Sequence, residues 1–294
     1  MSAREVVSAM KGRWYGNYGA VCCPAHDDCQ PSLLVSNGDD GLFVNCQAGC
    51  DWRTVKDELR RLGMLSEWTG KAQDAPETNG AERRAIREKQ ERDQASKMAL
   101  ARSIWESAES AQETPVCTYL ERRGISQCPS AHRYHKALKH GSTGLIFGTM
   151  VAAVTVWPSR KITGIHRTFL LPGGRGKANV SQAKMALGCL AGGAVRLAAH
   201  GAALGLAEGI ETALSVQQAT GTPMWACLST SGLKGVIVSD EVSEILVFAD
   251  ADDPGEKAAC EAVRRFMNMG KAAKIIRPPA GKDFNDVIIE KANG

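Results

Sequence analysis

No run in this 294-residue chain approaches the roughly 18 consecutive apolar residues that a membrane-spanning helix needs. The N-terminus, with Arg4, Lys11 and Arg13 scattered through it, has no apolar core of the signal-peptide kind. The expected location is therefore the cytoplasm, with no membrane partner. The pattern G-x-x-x-x-G-K-[ST] occurs nowhere, which excludes a P-loop motor. There is no internal repeat and no low-complexity tract. The most informative absence is of one sign of charge: residues 141–200 hold seven basic and no acidic side chains, whereas residues 201–294 hold nine basic and thirteen acidic ones. At the chain's average acid frequency such a run arises roughly once in a thousand windows of that length, so it asks for a cause. A polyanion is the obvious partner.

Ten cysteines are present, but they are spread over a medium-sized chain and not packed into a short one, so a disulfide scaffold is not the reading. Five of them fall from Cys22 to Cys50, beside His26. Cys23-Pro-Ala-His26 and Cys46-Gln-Ala-Gly-Cys50 make two close ligand pairs on either side of SLLVS-NGDDG-LFVNC, a stretch patterned as a hairpin. Two such pairs at one end of a small sheet are what a closed tetrahedral zinc site needs. Cys22 and Cys29 are possible replacements; Cys23, His26, Cys46 and Cys50 are preferred because one pair lies on each side of the hairpin. The zinc would be structural, since a segment this poor in large apolar residues would scarcely fold without it.

Four regions follow from the texture: a zinc-binding module over 1–66, a linker and long helix over 67–113, a basic subdomain over 114–200, and a catalytic domain over 201–294. Residues 67–80 read as a linker and Ala81–Gln112 as a helix, solvated first and docked later. A short helix spans Val116–Arg123, and residues 144–172 read as a β-meander. Beyond Leu204, strand-like 203–207, 223–229, 244–250 and 273–279 alternate with helix-like stretches near 210–220, 254–269 and 283–291. That alternation predicts a parallel α/β sheet, so the whole is a mixture of α+β and α/β parts.

In such a sheet the functional crevice lies at the carboxyl ends of the strands. ALGLA runs into Glu208, and EILVFAD into Asp250 and Asp252, so these three acids should meet there. Clustered hard oxygen ligands suit Mg²⁺ or Mn²⁺, and the chemistry that follows is phosphoryl transfer. The competing reading is that an acid merely caps a helix, which is weighed most heavily for Asp253 and Asp283. In the acid-free stretch, Arg160, Lys161, Arg167, Arg175, Lys177, Lys184 and Arg196, with His166, suit a template channel or triphosphate pocket. Lys234 and Lys282 follow strands near the crevice and are candidates for phosphate contact. Tyr134 and Trp157 could stack on bases, although packing is the commoner role for each.

LAEGIETALS, LSTSGL, VFADADDPGEKAA and GKDFND resemble the Toprim domain of phage- and plasmid-type DNA primases. CPAHDD-PSLLV-NCQAGC resembles the zinc ribbon that precedes it in that family, and GIHRTFLLPGGRGKA the basic segment between them. The resemblance covers nearly the whole chain. It implies synthesis of short RNA primers on single-stranded DNA from nucleoside triphosphates, with Glu208 as general acid/base and Asp250 and Asp252 as magnesium ligands. It moves His166 toward nucleotide or nucleic-acid contact. Two features depart from the replicative enzymes: Cys46 and Cys50 have three intervening residues, as in many phage-like relatives, and a second acid, Glu211, stands one position early.

The alternatives are a Toprim-type metal-dependent nuclease and a zinc-dependent adaptor for single-stranded DNA. A topoisomerase is disfavoured because Tyr15, Tyr18, Tyr119 and Tyr134 all lie outside the Toprim stretch. Lacking a motor of its own, a primase of this kind would depend on a separate helicase.

Overall fold

The structure, a computed structural model, describes residues 2–28, 31–38, 41–65, 80–250, 252–279 and 284. The chain divides into two compact units, Met1–Ile86 and Arg87–Gly294. Among the described residues no helix is long and apolar enough to cross a membrane.

In the first unit, α1 (Ala3–Ala9) opens with a capping box. The Ser2 hydroxyl accepts from the Glu5 N–H, and the Glu5 carboxylate accepts from the Ser2 N–H at 2.7 Å. The strands β1 (Arg13–Trp14), β2 (Tyr18–Val21), β3 (Leu33–Gly38) and β4 (Gly41–Cys46) form an antiparallel sheet in chain order. Strict alternation in β3 and β4 turns Leu33, Val35, Val44 and Cys46 inward, against Val6 of α1 and against Val55 and Leu59 of α2 (Trp52–Arg61). The hairpin read between the two ligand pairs is therefore present. The linker residues 67–79 lie outside the described residues.

The second unit starts within α3 (Gly80–Ser107). Its second half docks through Ala101 and Ile104 onto Val151 and Ile165. The helix stops five residues short of the expected end, because Glu109–Ser110 (β5) pairs instead with β6 (His132–Lys139). After α4 (Pro115–Glu121), β6 is followed by β7 (Ile146–Val156), β8 (Ile162–Phe169), β9 (Lys184–Gly188) and β10 (Gly193–Arg196), all antiparallel to their neighbours. β6 pairs with β7 from Ile146 to Ala152, while β10 pairs with Thr155 and Val156. β10 then pairs with β12 (Met224–Ala226), so one continuous sheet runs on into the C-terminal strands.

Those strands, β11 (Ala203–Ala207), β12, β13 (Glu244–Phe248) and β14 (Ala272–Ile276), are mutually parallel in the order β14-β13-β11-β12. α5 (Ile210–Thr220) leads from β11 to β12 on one side. α6 (Thr230–Gly235) leads to β13 and α7 (Asp253–Asn268) on to β14 on the other. Ile210, Ala213 and Leu214 of α5 belong to one apolar core, and Leu233 of α6 with Ala258, Ala262 and Phe266 of α7 to a second. The chain therefore reverses direction between adjacent strands β11 and β13, which is where an open α/β sheet forms its crevice.

Candidate metal centre and nucleotide site

Cys23, His26, Cys46 and Cys50 bring one ligand atom each to within 4.8 Å of one another. A tetrahedral zinc with sulfur bonds of about 2.3 Å has ligand-to-ligand edges of about 3.8 Å, so this donor set fits the ion. The ring of His26 is turned for the purpose. Its Nδ1 lies 3.2 Å from the Cys50 thiol and 3.9 Å from that of Cys46, and its Nε2 lies 3.8 Å from Asp28 Oδ2. The same Asp28 oxygen accepts from the Cys23 N–H at 2.7 Å and from the Ser32 hydroxyl at 2.6 Å. A carboxylate behind a histidine fixes its tautomer and orientation, a role the sequence did not single out for Asp28. Burial opposes ionisation of Cys46, but the Cys50 N–H and the Ser32 hydroxyl outweigh it and bring its thiol down to about 7. Cys22 stands outside the group, and Cys29 lies outside the described residues.

In the second unit, Glu208 follows β11 while Asp250 and Asp252 follow β13, the strand beside it. Burial, then the charges of Asp250 and Asp252, raise the pKa of Glu208, while a hydrogen bond from the Thr230 N–H opposes them. The three acids thus share one electrostatic neighbourhood. Asp252, not Asp253, caps α7: its Oδ1 accepts from the Gly255 N–H at 2.7 Å. A Cβ on Gly255 would come within 2.8 Å of that oxygen, so glycine lets the amide approach. Leu228, at φ +69°, holds a conformation rare for leucine and donates its N–H to the Glu208 carbonyl at 2.9 Å. Strain of this kind costs about 1–3 kcal/mol and concentrates at functional sites.

The basic residues separate by face. Pairing across β6, β7, β8 and β9 aligns His132, Ala152, His166 and Ala186, with Met150, Thr168 and Lys184 in the next row. Ala152 and Met150 belong to the core that includes Tyr119 and Ile210, so His166 and Lys184 look toward α4 and α5. Arg167, one residue on, points to the opposite face; it is 8% exposed, donates to the Ala186 carbonyl at 2.9 Å and lies 5.9 Å from the Phe169 ring centre. His166 and Arg167 are not brought together. Burial, then the charge of Lys184, lowers the pKa of His166 to about 4, so it is a neutral ring.

Lys177 and Lys184 border a cavity of about 810 Å³ that is wide open to solvent and lined by residues 177–184. Arg175 is exposed and donates to the Pro172 carbonyl. Lys234 turns to Glu261 of α7 at 3.2 Å. Lys282, with Asp283 and Asp286, lies outside the described residues. Tyr134 packs against the core and Trp157 against His200, so neither is an open stacking platform.

The residue whose role the sequence left open is the best-held of all. Glu211, in the first turn of α5, is 5% exposed. Its Oε1 accepts from the Tyr119 hydroxyl at 2.7 Å and its Oε2 from the Lys184 ammonium at 2.8 Å. Burial alone would raise its pKa, but the charge and hydrogen bond of Lys184, with that of Tyr119, bring it down to about 2.

Residues 203–294 match the family model described as the Toprim domain, and residues 95–197 match a family described as a domain of unknown function. The parallel strands and their acidic ends are thus the Toprim sheet of this chain. No curated protein matches the chain. Among solved structures it is similar to a DNA primase domain from Pseudomonas aeruginosa, at 15% identity over 66% of this chain and 74% of that one, with a TM-score of 0.45. It is also similar to the zinc-binding and RNA polymerase domains of the Aquifex aeolicus primase, at 14% identity over 99% and 80% of the two chains, with a TM-score of 0.42. A third is the primase fragment of the bacteriophage T7 primase-helicase protein, at 16% identity over 93% and 96%, with a TM-score of 0.41.

Proposed function

We propose that this chain is a DNA primase, joining nucleotides into a short RNA primer on single-stranded DNA. The observation that supports the reading is that Glu208 follows β11 and Asp250 and Asp252 follow the adjacent parallel strand β13 at the switch point of the Toprim sheet, in a chain that also holds a Cys₃His cluster. Asp250 and Asp252, with Glu208, would hold Mg²⁺ or Mn²⁺, which when bound neutralises charge on a triphosphate. Glu208, its proton affinity raised by burial and its two acidic neighbours, is suited to take the proton of the attacking hydroxyl. Lys177 and Lys184 would supply positive charge for phosphates at the 177–184 cavity. In this reading the Cys₃His module contacts the template, and unwinding falls to a separate helicase.

The test is primer synthesis from labelled nucleoside triphosphates on mixed-sequence single-stranded DNA with Mg²⁺ or Mn²⁺, comparing the wild type with Asp250→Ala/Asp252→Ala. Short products that vanish in the variant are expected. Template degradation that the substitutions abolish would move the reading to a nuclease. DNA binding with neither product nor degradation would move it to an adaptor.

A further inference from the structure

Glu211 is unsuited to touching a ligand. Both of its oxygens are occupied, one by Tyr119 and one by Lys184, and its side chain is 7% exposed. Lys184 is its opposite: the side chain is 37% exposed and lines the 177–184 cavity. An ammonium has three donors, and only one of them goes to Glu211. The side chain that carries the others lines the cavity. A lysine on a four-carbon stem samples many rotamers, so directing its charge at one point needs an anchor. The anchor here is itself anchored, by a hydroxyl on α4 and by its place in the first turn of α5, three residues after Glu208. Glu208 lies just before the Gly209 cap of that helix, so the two acids belong to the same strand-to-helix junction.

The charge balance points the same way. Lys177 lies in the field of Lys184 and Glu211, so two lysines that line the cavity gather around one carboxylate. The surplus is positive and faces a cavity. A buried ion pair adds little net stability relative to an apolar replacement, which makes fold stability a poor reason for this arrangement.

We propose that Glu211 is a positioning residue, which with Tyr119 fixes the Lys184 ammonium at the rim of the 177–184 cavity so that it meets a phosphate group of the bound ligand. The phosphate belongs either to a nucleoside triphosphate or to the template backbone. The inference rests on the proposed nucleotidyl-transfer reading for its substrate, but its own test is binding.

The experiment is a double-mutant cycle on the full chain, with Glu211→Gln, Lys184→Met and both together, read by the affinity for ATP and, separately, for a fluorescent single-stranded oligodeoxynucleotide. Melting temperatures identify variants that fold, and Tyr119→Phe serves as a milder variant should Glu211→Gln not fold. Each single change is expected to weaken one of the two ligands about tenfold, with the double variant no worse than Lys184→Met alone. Weakening confined to ATP assigns the phosphate to the nucleotide; weakening confined to the oligonucleotide assigns it to the template. A folded Glu211→Gln or Tyr119→Phe variant that binds both ligands as the wild type does overturns the proposal, as does strict additivity. A wild type that makes primers yet shows an additive cycle loses only this inference. One that makes none, yet binds through a coupled Glu211 and Lys184, loses only the proposed activity.

Discussion

Glu208 and Glu211 stand on either side of the Gly209 cap that opens α5 and hold protons with opposite strength. Glu208 is raised by burial and by two neighbouring carboxylates, while Glu211 is brought to about 2 by a lysine and a tyrosine that outweigh its burial. Two histidines on the adjoining sheet face add a third kind of site. Burial brings His132 and His166 to about 4 from an ordinary value of 6.5. Between those values the unfolded chain binds protons that the folded one refuses, so stability falls as pH drops from 6.5 toward 4. The contribution of Glu211 is complete above its unfolded value of 4.5 and is lost only as pH falls toward 2. Urea unfolding at pH 7.5 and at pH 5 should show this loss, and the paired variant His132→Gln/His166→Gln should lose less over the same interval. An equal loss in both would contradict the neutral buried state of the two rings. The placement of Glu208, Asp250 and Asp252 after adjacent strands was legible in the sequence because short apolar runs ending in an acid mark strand ends. The pairing of Glu211 with Tyr119 and Lys184 was not, since it joins residues 92 and 27 positions apart, across separate elements.

At the scale of elements, legibility followed the clarity of periodicity. β3 and β4 alternate without interruption, and the helix over Ile210–Thr220 ends at Gly221 in the left-handed conformation that glycine favours. β6 escaped notice because HRYHKALK is polar on both faces and is interrupted by a bulge between His135 and Leu138. α6 escaped because its six residues include two glycines and bury only Leu233; a cap from Ser229 to the Gly232 N–H at 3.0 Å starts it. The zinc module is where element and ligand depend on each other. Cys46 ends β4, Cys50 immediately precedes α2 and its cap Asp51, and Cys23 follows β2, so metal loss should release all three junctions. Metal analysis is expected to give one zinc per chain. Chelation or Cys50→Ser should unfold the first unit while leaving the melting of the second, and Asp28→Asn should weaken zinc affinity about 10-fold to 100-fold through the His26 ring. Retention of the β3–β4 hairpin after complete zinc removal would show that the metal is not what holds it.

For the molecule as a whole, β10 is the strand on which the second unit turns. It is four residues long, antiparallel on both sides, and joins the meander at Thr155 and Val156 to the Toprim sheet at Trp225 and Ala226. Arg196 at its end donates to Thr155 and to the Ser159 carbonyl and lies near the rings of both Trp157 and Trp225, which adds side-chain ties across the same seam. A hinge between the basic half and the acidic half would have to tear this ladder on one side of β10 or the other. On the proposed reading, ligands would then enter by movement of loops, while the meander and the Toprim sheet keep their spacing. Amide hydrogen exchange offers the measure: Ala194, Val195 and Arg196 should exchange only on global unfolding of the unit, as slowly as the centre of β11, and at the same rate whether or not nucleotide is bound. Catalysis in such a body would work as a vice already set to its width, gripping whatever the loops admit.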